Sequence, residues 1–91
     1  MRIFTDGDVV RLEGDLDLCS ARQVDSVDAS VFDVSGVTFM DCAGVAALVR
    51  ARDRARTRGE TFALEGVGEP VARVLEATRL SNELRAPALR R

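Results

Sequence analysis

The segment Val31-Phe32-Asp33-Val34-Ser35-Gly36-Val37-Thr38-Phe39-Met40-Asp41-Cys42-Ala43-Gly44-Val45 reads from strand through loop into helix. Val31 to Val34 is a compact β-branched and aromatic run of the kind buried at the centre of a sheet, and Ser35-Gly36 reads as its end. Val37 to Met40 then leads into Asp41, whose carboxylate suits an N-cap because it accepts the free N–H groups of a first helical turn. Capping alone accounts for that residue. Beyond it Val45, Leu48, Val49, Ala51 and Ala55 keep helical spacing as far as Arg58, and Gly59 stands where a left-handed C-terminal cap belongs.

Upstream, Arg2 to Thr5 and Val9 to Glu13 are short strand candidates around Asp6-Gly7-Asp8, a strong hairpin signal. Gly14-Asp15-Leu16-Asp17 reads as a break, after which Leu18, Ala21, Val24 and Val27 recur near every third position, with Ser20 as the expected N-cap of a short helix. Downstream, Thr61 to Leu64 is a third buried-type strand. Gly66-Val67-Gly68 lacks the further glycine of a dinucleotide loop and reads as a turn into a helix opened by Glu69-Pro70, with Val71, Val74, Leu75 and Thr78 on one face. Strand-helix-strand crossovers are nearly always right-handed and give parallel neighbours. The expected fold is therefore α/β: a mixed sheet of four to five strands, parallel in the middle, antiparallel at the N-terminal hairpin, with helices mainly on one face. Residues 1–91 are expected to form one domain. From Arg79 onward the periodicity is weak and Pro87 is a stop, so 85–91 are expected to be a weakly structured tail.

Thirteen arginines against fifteen acidic residues leave a net charge of -2, too little positive charge for general attraction to nucleic acid or anionic lipid. At about 100° per residue, Arg50, Arg54 and Arg58 share one helix flank while Arg52 and Arg56 lie on another, which reads as a solvated face rather than a basic stripe. The chain contains no histidine and no lysine, which removes imidazole bases, Schiff-base amines and the P-loop lysine. Two cysteines, Cys19 and Cys42, make neither a zinc site nor a disulfide framework. Asp15, Asp17, Asp33 and Asp41 read as loop, cap and local backbone-bonding carboxylates, so no metal or cofactor is expected. With no signal-like h-region and no apolar run near the roughly 18 residues a bilayer needs, a cytoplasmic protein without membrane insertion is expected.

The stretch from Val31 to Val45 resembles the signature of STAS domains, the fold of bacterial anti-sigma factor antagonists. In that family a strand ending Asp-Leu-Ser-Gly-Val passes through Phe-(Ile or Met)-Asp-Ser-(Ser or Thr)-Gly into a helix. Gly14-Asp15-Leu16-Asp17 is similar to the family's upstream Gly-Glu-Leu-Asp, and Arg58-Gly59-Glu60 and Val71 to Thr78 fall where the family has a helix end and its last long helix; the likeness covers about residues 3–84. The resemblance implies a non-catalytic protein-binding regulator of transcription, which captures an anti-sigma factor of the histidine-kinase-like ATPase type and releases a sigma factor. It implies a contact edge of Asp15, Leu16, Asp17, Asp41, Cys42, Ala43, Gly44, Val45 and Ala46, with Gly44 admitting the partner's backbone.

Three departures qualify the resemblance. Ala43 occupies the place of the phosphoacceptor Ser or Thr and has no hydroxyl, so a phosphate switch there is chemically impossible. Cys42 replaces a Ser, and a thiol at a helix N-terminus favours thiolate, leaving open a redox-sensitive regulator in which the two flanking loops bring Cys19 and Cys42 near each other. Only thirteen residues separate Asp17 from Val31, about half the family's usual span, so the first helix is cut short and the surface left bare admits a homodimer contact or a new groove. The loss of the hydroxyl fits either a permanently active antagonist or a divergent module serving as scaffold subunit of a lipid-transport or signalling complex.

Overall fold

The computed structural model describes residues 1–79. In chain order these form β1 (Arg2–Asp6), β2 (Val9–Leu16), α1 (Leu18–Asp25), β3 (Val31–Met40), α2 (Cys42–Thr57), β4 (Ala63–Glu65) and α3 (Glu69–Ala77). The sheet has the order β1-β2-β3-β4, with β1 antiparallel to β2 and the pairs β2–β3 and β3–β4 parallel. Four strands are thus present among the described residues, and the mixed α/β architecture expected from the sequence is the one observed. The tail from residue 80 onward lies outside the described residues.

Strand alternation decides the two faces. Val10, Leu12 and Leu16 of β2, Phe32, Val34, Val37 and Met40 of β3, and Leu64 of β4 are buried in one cluster with Val24 of α1, Val45, Leu48, Ala51 and Ala55 of α2, and Val71 and Leu75 of α3. Phe32 and Phe62 meet with ring centroids 5.7 Å apart at the floor of this core. The opposite face of the sheet carries Phe4, Arg11, Asp15 and Phe39, all exposed.

Two strands run longer than the sequence suggests. Gly14 and Ser35-Gly36 were natural stopping points, yet β2 continues to Leu16 and β3 to Met40. Both glycines sit at irregularities in the β2–β3 register, between Arg11 and Glu13 and between Gly14 and Asp15. Gly14 has φ +105°, and a Cβ on Gly36 would come within 2.7 Å of Glu13 Cγ and 3.1 Å of the Leu12 carbonyl oxygen. Inside a strand, glycine marks a bulge or a close backbone approach as readily as an end.

Helix α1 begins three residues earlier than the expected Ser20 cap. Asp17 is the N-cap: its Oδ1 accepts from Ser20 N at 3.1 Å, and Ser20 Oγ in return accepts from Asp17 N at 2.9 Å, a reciprocal capping box. Leu18, expected on the buried stripe, therefore stands in the first turn pointing outward, 74% exposed. The short helix is held from its other end by α2. Arg54 Nη2 donates to the carbonyls of Val24 at 3.1 Å and Val27 at 2.9 Å, while its Nε pairs with Asp28 at 3.0 Å. Arg50 engages Asp25 with both Nε and Nη2, at 2.9 and 3.0 Å, and Arg58 adds Asp28 at 3.6 Å. The flank of Arg50, Arg54 and Arg58, expected to be merely solvated, is instead the clasp that binds α2 to the end of α1. A second tie joins the hairpin turn to the start of β3, where the buried Ser30 hydroxyl donates to Asp8 Oδ2.

Candidate functional site

Parallel β2 and β3 deliver their C-terminal ends to the same margin of the sheet, where each turns into a helix. Asp15 pairs with Phe39 and Leu16 with Met40 in register, and Asp41 N donates to the Leu16 carbonyl at 3.3 Å, so the two loops are stitched together by backbone. Thr38 Oγ1 adds a side-chain link by donating to Asp15 Oδ1 at 3.1 Å. Ser20 Oγ donates to the Asp15 carbonyl at 2.7 Å, anchoring the first turn of α1 to the strand it leaves.

Both helices start here under aspartate caps. Asp41, extended at φ -118°, accepts from Gly44 N at 3.1 Å, as Asp17 does from Ser20 N. The edge therefore presents two helix N-termini side by side. Each has one carboxylate already committed to its own free N–H groups, and neither first turn adds an acidic side chain.

The nine positions expected on the contact edge divide by burial. Asp15, Cys42 and Ala46 are exposed, and Asp17, Asp41 and Ala43 half-buried, so all six can meet another molecule. Leu16 is fully buried, Val45 is 4% exposed and Gly44 is buried. These three hold the shape of the edge and offer it no side chain. For Gly44 the expected reason also changes. A Cβ there would overlap the Leu16 carbonyl oxygen and stand 2.8 Å from Met40 Cγ and 2.9 Å from Leu16 Cγ. The close approach that requires glycine is made by the chain's own β2, not by a partner.

The structure also adds two residues that the sequence reading left out. Leu18 at 74% and Phe39 at 50% exposure are two of the three large hydrophobic side chains exposed among the described residues, and both flank the stitched loops. A signal was present for Leu18 alone: Asp17-Leu18-Cys19-Ser20 has the spacing of a capping box, which sets Leu18 in the first turn, whereas simple alternation from the buried Val37 would turn Phe39 inward and only the register shift between Gly14 and Asp15 turns it to the open face. Beside them a shallow concavity of about 290 Å³ is lined by Met1, Asp15, Asp17, Cys19, Ser20 and Gln23.

Cys19 and Cys42 are both free thiols, both exposed, in the first turns of α1 and α2. Asp33 does what local chemistry suggests: its Oδ1 accepts from Ser35 N at 2.9 Å. Among the described residues no three Cys, Asp or Glu side chains gather in a way that would hold a metal ion, and no described helix is long and apolar enough to cross a membrane. The margin itself presents carboxylates, two apolar side chains and small residues at the mouth of two helices.

Comparison with known proteins gives this arrangement a family. A solved anti-sigma factor antagonist structure from Thermotoga maritima has the same fold, with a TM-score of 0.72 at 22% identity over 92% of this chain and 82% of that one. A sulfate transporter family protein from Wolinella succinogenes matches with a TM-score of 0.70 at 20% identity, over 85% of this chain and 70% of that one. Identities this low speak for the fold alone. The family model described as the STAS domain matches residues 3–89, nearly the whole sequence, and on that match the chain belongs to the STAS domain family.

Proposed function

We propose that this protein is a non-catalytic regulator that docks the stitched edge of β2–α1 and β3–α2 onto an anti-sigma factor of the histidine-kinase-like ATPase type, in the cytoplasm, and thereby releases a sigma factor. The observation that carries the reading is the coincidence at one margin of exposed Leu18 and Phe39 with Asp15, Asp17 and Asp41. Apolar side chains ringed by charge form the usual anatomy of a contact hot spot. The similarity of the fold to an anti-sigma factor antagonist supports the choice of partner. Ala43, half-buried one position inside the α2 terminus, carries no hydroxyl to receive phosphate, so binding at this edge is permanently enabled.

The test mixes the purified protein with a cognate kinase-type anti-sigma factor and labelled ATP. A stable complex with no label on this chain is expected. No complex, or label incorporated at another hydroxyl such as Ser20 or Thr38, refutes the reading. Leu18→Asp and Phe39→Asp should each weaken the complex by about tenfold or more while leaving the fold intact, since Leu18 is 74% and Phe39 50% exposed and neither belongs to the buried core.

A second reading has its own support in the likeness to a sulfate transporter family protein: a STAS module acting as scaffold in a transport or signalling assembly. Recovery of transporter subunits and no ATPase from native cytoplasm, through the same edge, would favour it.

A further inference from the structure

The outer side of β1 is an edge with no described strand against it. Its five residues pair with β2 in an unbroken register, from Arg2↔Glu13 to Asp6↔Val9. Proteins blunt exposed edges with proline, bulges, very short strands or charged side chains, and the two charges of β1, Arg2 and Asp6, stand only at its ends. At the other margin of the sheet among the described residues, β4 has three residues, whereas β1 has five and carries neither proline nor bulge. What β1 does carry is a self-complementary sequence, Arg2-Ile3-Phe4-Thr5-Asp6. We infer that β1 pairs with β1 of a second copy of this chain, antiparallel and centred on Phe4, to give a continuous sheet across a two-fold axis.

The register follows from the hairpin. Its two-residue turn, with Gly7 at φ +63°, makes Asp6–Val9 a hydrogen-bonded pair. By the alternation of antiparallel ladders, Phe4 and Arg2 also bond inward to β2, and the N–H and C=O groups of Ile3 and Thr5 aim outward. Centring the axis on Phe4 sets Ile3 opposite the second copy's Thr5, and the reverse, which satisfies those outward groups. Arg2 then faces Asp6 of the other copy at both ends, and the two Phe4 rings meet in a non-hydrogen-bonded pair, where side chains approach most closely. Phe4 is 42% exposed, with the guanidinium of Arg11 5.0 Å and that of Arg2 5.9 Å from its ring centroid, so the paired rings lie between cations on the open face. An isologous contact of this kind closes on itself and does not grow into filaments. It also turns the two docking edges, at the C-terminal ends of β2 and β3, toward opposite poles and leaves both free, and it stands independently of what those edges bind.

Sedimentation equilibrium over a concentration series reaching on the order of 1 mM tests the inference, since a contact this small gives weak association. A monomer–dimer equilibrium is expected. Thr5→Pro removes an outward N–H without touching the β1–β2 ladder and should abolish the dimer. Arg2→Asp and Asp6→Arg should each weaken self-association roughly tenfold, because every charge acts twice across the axis. An equimolar mixture of those two variants should restore it, because every Asp then faces an Arg. A monomer at all concentrations, including the case of an edge reserved for another protein's strand, overturns the inference. So does a dimer unmoved by Thr5→Pro, or a mixture that fails to recover, provided circular dichroism shows folded variants.

Discussion

Gly44 shows how a single residue can reverse an ordinary rule. In a helix, Gly→Ala is normally stabilising by up to about 1 kcal/mol. Here the added methyl would strike the Leu16 carbonyl and Met40, groups locked in the core and the sheet. Gly44→Ala is therefore expected to destabilise by about 1 to 3 kcal/mol, read as a lowered urea midpoint at unchanged slope. The caps behave more conventionally. Asp41→Ala leaves Gly44 N without its acceptor and should cost about 1 kcal/mol. Asp17→Ala should cost somewhat more, because it also removes an acceptor that Ser20 uses twice. Equal losses for the two in chemical denaturation would argue against the reciprocal box as an added source of stability.

At the scale of elements, α1 is the piece least able to stand alone. Eight residues are far below the length at which an isolated helix persists in water, so its stability comes from its contacts. Val24 and Ala21 bury its inner face, and Arg54 from α2 satisfies two carbonyls at its C-terminal end. Arg54→Ala should lower global stability by about 1 to 2 kcal/mol and speed amide exchange most strongly in α1. Arg56→Ala, on the exposed flank of the same helix, should change stability by no more than about 0.5 kcal/mol. If the two variants were alike, the clasp would be ornamental.

For the whole molecule, acid is the informative perturbation. The Arg50 guanidinium, through its hydrogen bond to Asp25 and its charge, holds that carboxyl below the usual aspartate range. A carboxyl depressed in the folded state contributes stability that is complete above its unfolded value, about 3.9, and is lost as pH falls through the lower folded value. Unfolding free energy should therefore be flat from this source near neutrality and decline below about pH 4. In Arg50→Gln the part of that decline due to Asp25 should shrink, Arg54 still standing 3.8 Å from its carboxylate, together with its contribution at neutral pH; both residues are substantially solvated, so the change will be small. A wild-type and variant difference that grew on acidification would contradict the assignment.

Much of this architecture was legible from local pattern. The β-branched run at Val31–Val34, the Asp-Gly hairpin, the Asp41 cap and the 3.6-residue spacing of α2 and α3 are properties of neighbouring residues, and the α/β order with parallel centre and antiparallel hairpin follows from chain connectivity. The resemblance of Val31–Val45 to the STAS signature likewise needs nothing but sequence, as does the absence of a hydroxyl at Ala43. Tertiary structure decided what depends on contacts between distant segments. Whether Gly14 and Gly36 end strands or bend them was set by how β2 and β3 lie against each other, and Gly44's necessity by a carbonyl twenty-eight positions earlier in the chain. The arginine flank became a clasp only because α1 ends within its reach. Leu18 faces outward through a local capping box, but Phe39 joined it at the edge only because the bulged register of β3 against β2, rather than hydrophobicity, fixed which way it faces.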